Sequence, residues 1–262
     1  MSDHMTKPLK ELAKDVLADG VVDASEVKRM RERLYADGVI DREEADFLFA
    51  INDAVSGKKN SPAWKKLFVE AVTSHVLDDP QSPGEIDDAE ARYLIGKIKA
   101  DKRVDDVELA LLVNIVTRAK ATPKAFQKFV LDSLKAAVLE DGIIDAQEVK
   151  MLRAVIYGSG SGAGAGVDRQ EADFLFELND AVSGHENHPS WKRFFVEAIS
   201  KHVLEDEASP GEVDSREAAW LTRKVEADGT VDDTERALLR SLKAKAKALP
   251  DSLKAKMARW KI

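Results

Sequence analysis

One short element constrains this chain more than any other: a helix stop joined to a helix start. It reads Ala/Glu-Asp-Gly-x-Val/Ile-Asp-x-x-Glu and occurs as ADGVVDASE at 18–26, ADGVIDREE at 36–44, EDGIIDAQE at 140–148 and ADGTVDDTE at 227–235. Variants are SPGEIDDAE at 82–90, ADKRVDDVE at 100–108 and SPGEVDSRE at 209–217. Segments of helical period lie between them, such as Val27, Met30 and Leu34, or Ala91, Leu94, Ile95 and Ile98. No segment alternates in the manner of a strand between hairpin turns. The fold class expected is all-α, with about thirteen helices.

The chain is also written twice. Residues 41–57, DREEADFLFAINDAVSG, return as DRQEADFLFELNDAVSG at 168–184. From there the offset is 127, pairing Trp64 with Trp191, His75 with His202 and Gly84 with Gly211; before residue 41 it is 122, pairing Gly20 with Gly142. The arithmetic predicts tandem homologous domains at 1–121 and 122–250, with a C-terminal basic amphipathic helix over 251–262. The run GSGSGAGAG at 158–166 replaces part of the second motif; it lacks dinucleotide-loop spacing and reads as a flexible linker.

Two readings of the motif stand side by side. In the first, Gly20 supplies a left-handed turn, Val22 packs across it, Asp23 caps the next helix and Glu26 completes a capping box, all within a four-residue loop. This leaves only Asp19 unexplained. In the second, Asp19 to Glu26 match the back half of a calcium-binding helix–loop–helix, including the glycine and final Glu. The front half fails, because Leu17 stands where a ligand belongs. A cation site would therefore need two motifs. Antiparallel packing would set Asp19, Asp23 and Glu26 beside Asp101, Asp105 and Glu108, and Asp141, Asp145 and Glu148 beside Asp228, Asp232 and Glu235. Six carboxylates suit Ca²⁺, Mn²⁺ or Mg²⁺, although the positive ends of helices oppose a cation there.

Repeated helix–ADGxhD/SxxE–helix turns in an all-α chain resemble the TerB family of tellurite-resistance and stress proteins, over nearly the whole length as two tandem copies. The resemblance implies an acidic, cytoplasmic, helical domain, sometimes at the inner membrane surface, which binds divalent metal, Ca or Mn, through these acids. Carried onto this sequence, the ligands would be Asp19, Glu26, Asp37, Glu44, Asp101, Glu108, Asp141, Glu148, Asp228 and Glu235. Pro83 and Pro210 stand where the motif has Asp, and Lys102 where it has Gly.

The remaining features narrow the function. With no cysteine and five histidines there is no thiol nucleophile and no Cys-ligated zinc, and no nucleophile elbow is present, so no enzyme activity is expected. A net charge of −8 argues against nucleic acid as a partner. No secretory signal and no membrane span are expected, since no apolar run approaches about 20 residues. His75 and His202 precede acids at helical spacing, as ligands or as partners of helix-end carbonyls. Trp64, Leu67, Phe68 and Ala71 form a stripe expected in the core. Asn52-Asp53 and Asn179-Asp180 interrupt apolar helices, either to satisfy a loop or to bind something. Residues 241–262 carry seven Lys or Arg against one Asp, fitting peripheral contact with an anionic membrane or docking on the protein itself. Two functions follow: a non-enzymatic, divalent-cation-binding scaffold of a bacterial stress-response type, or a metal-independent helical adaptor for an unidentified protein partner.

Overall fold

A computed structural model describes residues 7–100, 103–158, 166–206 and 209–262. Among these residues the chain is all-α, with thirteen helices and no strand. It divides into two compact units, one running up to Ser133 and the other comprising 134–158 and the chain from 166 to Ile262. Of the expected linker, 159–165 lie outside the described residues.

In the first unit α1 (Lys7–Val16), α2 (Ala24–Leu34), α3 (Arg42–Val55), α4 (Pro62–Leu77), α5 (Asp88–Ile98) and α6 (Asp106–Arg118) lead into α7 (Lys124–Val138). The second continues with α8 (Ala146–Gly158), α9 (Arg169–Ala181), α10 (Pro189–Leu204), α11 (Ser215–Val225), α12 (Asp233–Lys245) and α13 (Asp251–Arg259). The expected aromatic stripe forms the core of each. Trp64, Leu67, Phe68 and Ala71 are buried on α4, which packs against α6, α3 and α2. Trp191, Phe194, Phe195 and Ala198 do the same on α10, against α12, α8 and α9. Edge-to-face rings close each core, Phe49 with Phe68 at 5.2 Å and Phe176 with Phe195 at 5.1 Å.

The division falls inside α7, not at residue 121. Offset 127 matches the start of α7 to α13, pairing Phe126 with Leu253 and Val130 with Met257; offset 122 matches its end to α1, pairing Leu131 with Leu9 and Val138 with Val16. All eight side chains are buried. The overlap of these two matches makes α7 two repeat helices read through as one. By the same correspondence 251–262 is no separate appendage. Leu253 and Met257 are buried where α13 packs on α11, Lys256 pairs with Glu226, and Arg236 donates to the Trp260 carbonyl at 2.6 Å.

The connections are longer than the four residues expected. α1 ends at Val16, and residues 17–23 intervene before α2; α2 and α3 are joined in the same way by 35–41. Gly20, with φ +77°, is therefore not at the helix end but at the middle of the loop, two residues from the buried Val22. Nothing lies within 4 Å of the position of a Cβ there, so a side chain would meet only backbone strain. Gly20→Ala is expected to lower the unfolding free energy by about 1 kcal/mol in urea titration, and Gly20→Asn by less.

Candidate functional site

The acidic turns are the candidate site, and their carboxylates face their own backbone. Asp23 accepts from the amide of Glu26 at 2.8 Å while Glu26 accepts from the amide of Asp23 at 2.8 Å. The same reciprocal box joins Asp41 to Glu44, Asp87 to Glu90, Asp105 to Glu108, Asp145 to Glu148, Asp168 to Glu171, Asp214 to Glu217 and Asp232 to Glu235. An extended Asp at N-cap and a Glu one turn on satisfy helix amides that otherwise have no partner. The leading acid also has a partner. Asp19, Asp37 and Asp141 each accept from the amide two residues on, at 3.1 Å, and Asp228 accepts from Thr230 at 2.9 Å. This Asx turn accounts for Asp19 and for the added loop length. Asp101, the remaining candidate ligand, lies outside the described residues, as does Lys102.

The first three turns of each unit are then fixed to the rest of that unit through the apolar residue before the cap. Val22 and Ile144 are buried, and their amides donate to Asn60 and Asn187 at 2.9 and 2.8 Å. The carbonyls of Ile40 and Val167 bond Nδ1 of His75 and His202 at 2.8 and 2.7 Å, and both imidazoles stand edge-on to a ring, Tyr93 or Trp220. The amides of Ile86 and Val213 donate to the carbonyls of Ala121 and Ala248. The prolines that break the motif have a place here too. The Pro83 carbonyl accepts from Lys120, whose side chain would come within 3.0 Å of a Cβ on Gly84; Pro210, Lys247 and Gly211 repeat the arrangement.

The fourth motif of each unit is held by the Asn of the α3 or α9 Asn-Asp pair. Asn52 is buried; it accepts from the Trp64 indole at 3.3 Å and donates to Asp105 at 2.9 Å. Asn179 links Trp191 to Asp232 at 3.2 and 2.7 Å. Ser56 and Ser183 add a second donor to the same oxygen. The capping carboxylates of Asp105 and Asp232 thus accept from two helix amides, an Asn and a Ser. In the first unit Asn60 holds motif one through the Val22 amide, and Asn52 with Ser56 holds motif four through Asp105.

Charge accumulates behind this relay in the second unit. Burial, then the charges of Asp228 and Asp232, push Asp180 up to about 6. Burial, then Asp232, Asp180 and Asp228, push Glu235 up to about 8. Glu148 is raised by burial and then by charges of its own motif only, Asp145 and Asp141. Among the described residues no three His, Asp or Glu side chains are arranged to hold a metal ion. No helix among them is long and apolar enough to cross a membrane.

Comparison with protein-family models, with curated proteins and with solved structures finds no match.

Asn60, Asn187, Lys120 and Lys247 carry no motif in sequence. Their only signal is recurrence at offset 127, which accompanies many residues without such a role. His188 replaces the Ser61 cap, its Nδ1 accepting from the Ser190 amide at 3.3 Å, so its departure from the repeat is a substitution of one cap for another.

Two outcomes are expected. Asn179→Ala leaves the buried Trp191 indole without its acceptor and is expected to cost about 2–3 kcal/mol in chemical unfolding. Glu235 is protonated more readily folded than unfolded, so its contribution to stability is complete below about pH 4.5 and is lost as pH rises through about 8. Glu235→Gln keeps the box acceptor, and the fall in unfolding free energy from pH 5 to 9 is expected to be shallower than in the parent by about 1 kcal/mol or more.

Proposed function

We propose that this protein is a non-enzymatic helical adaptor whose acidic turns build the fold without a metal and leave its helix faces for a protein partner. The observation that carries this reading is the destination of the candidate ligands. Asp19, Asp23, Glu26, Asp37, Glu44, Asp105, Glu108, Asp141, Asp145, Glu148, Asp228, Asp232 and Glu235 all accept hydrogen bonds from amides of their own turns. A carboxylate that caps a helix also opposes the positive end of its dipole, which weakens its hold on a cation. The resemblance to TerB proteins adds a bacterial, cytoplasmic, stress-related setting to the proposal. Membrane contact through 241–262 is not favoured, because Leu253 and Met257 would have to leave the second unit's core.

A second reading, the divalent-cation scaffold, is favoured by one observation: Asp180 and Glu235 are pushed up to about 6 and about 8 by burial and then by their neighbours, the repelling charges of Asp228 and Asp232. A divalent ion would relieve that repulsion. Thermal unfolding after EDTA treatment, titrated with Ca²⁺, Mn²⁺, Mg²⁺ and Zn²⁺, separates the two. The adaptor reading predicts no ion-specific shift. A saturable rise of a few degrees at about 100 times the Kd, abolished by Asp180→Asn, would establish the cation reading in its place.

A further inference from the structure

The second unit carries a surface groove that differs from the corresponding face of the first unit by an added lysine, Lys201 in place of Ser74, and by the loss of a side-chain bridge. It has a volume of about 660 Å³ and lies along α10, from Lys192 to Glu205, with Ala237 and Lys245 of α12 on its other side. The two helices run parallel: Ser183, just ahead of α10, bonds Asp232 at the start of α12; Ser200 lies 3.4 Å from Ser241; and Leu204 and Lys247 both bond Gly211. Lys192 and Arg193 therefore mark one end of the groove and Lys245 the other, about 20 Å away along α10. Half-buried Val196, Leu204 and Ala237 form an apolar strip between them.

The charges at these ends are available. Lys192, Arg193 and Lys245 form no ion pair or hydrogen bond among the described residues, and all three are exposed. The acid nearest Arg193 is already engaged, since Glu197 is gripped by Arg153 through two bonds of 2.9 and 2.7 Å and by the Tyr157 hydroxyl. Glu205 is paired with Lys201.

Unit one provides an internal comparison. Lys66, the counterpart of Arg193, is paired with Glu70. Lys201 is replaced by Ser74, which is bonded to Asp78. Asn114 reaches across from α6 to Thr73 at 2.8 Å, where the second unit has only two serines at 3.4 Å. The α4–α6 face keeps Lys65, Lys66 and Arg118 at the places of Lys192, Arg193 and Lys245 but is bridged by Asn114 and has one lysine fewer, while the α10–α12 face is the more basic of the two on a chain of net charge −8.

Basic ends about 20 Å apart with an apolar strip between them span three to four helical turns and complement acidic flanks around an apolar stripe. We infer that the α10–α12 groove docks an acidic amphipathic segment of a protein partner. The inference rests on the adaptor reading and names the face and the chemistry of the partner.

The test uses the full chain in EDTA, panned against a displayed library of random 16-residue peptides, with enriched peptides resynthesised and titrated by fluorescence anisotropy. Enriched peptides are expected to carry Asp or Glu around apolar residues at i, i+3 and i+4 spacing, and to bind more weakly as salt rises. Lys192→Glu with Arg193→Glu, both on the surface, should weaken them at least tenfold, and Lys65→Glu with Lys66→Glu should leave them within twofold. Absence of enrichment, enrichment of basic peptides, equal affinity for the groove variant, or preference for phosphatidylserine vesicles overturns the inference. Acidic peptides lost only with the Lys65 and Lys66 variant would overturn the groove while sparing the adaptor reading. Binding that appears only on adding Ca²⁺ or Mn²⁺ would overturn that reading itself.

Discussion

The fold depends on a buried amide in each unit. Asn52 and Asn179 sit in otherwise apolar helices, where an unpaired side-chain amide would be costly. Each is paired on both sides, with the indole N–H of the core tryptophan and with the aspartate that caps α6 or α12. One amide therefore ties three helices together: the helix that bears it, the central helix that carries the tryptophan and the helix whose N-terminus the aspartate begins. The bond requires Trp64 or Trp191 to be seated and the cap to be formed at once. It couples core packing to the position of a turn, which apolar contact alone, being non-directional, does not do.

The acidic composition follows from the same economy of short loops. A chain of many helices and brief connections has many helix starts, each with unpaired amides. An Asp–Glu box answers two of them, and the Asx turn, whose Asp lies three residues ahead of the buried Val or Ile, shapes the entry. The excess negative charge is thus largely a by-product of helix count. Its local cost is visible where several such acids converge on one place, as around Asp180 and Glu235.

Much of this was legible in sequence for a physical reason. The Asp-x-x-Glu spacing is a local signature, since both partners of a capping box lie within one helical turn. Period and burial of the Trp64 stripe are likewise local. What escaped was decided at a distance. Nothing near Asn60 announces that its side chain will receive the amide of Val22, 38 residues away. His75 reads as a helix-end histidine, yet its partner is the Ile40 carbonyl in another turn. The reach of α7 was obscured because the repeat offsets 122 and 127 overlap across it, so a boundary drawn where one offset gives way to the other falls outside the helix that both describe. The length of the loops is hidden because an Asp before Gly fits a cation ligand and an Asx-turn acceptor equally well in sequence, and only the second adds residues to the loop.

The central claim is that the carboxylates of the acidic turns serve the backbone. It is tested most directly by carbon-detected NMR titration of the side-chain carboxyls of Asp23 and Asp214. The amide of Glu26, then the Ser25 hydroxyl, hold Asp23 below the usual aspartate range, and the amide of Glu217, with the Arg216 guanidinium, holds Asp214 there. The account predicts lowered midpoints for both that do not move when Ca²⁺ or Mn²⁺ is added. Midpoints at or above those of a free aspartate, or midpoints that move with a divalent ion, would contradict it.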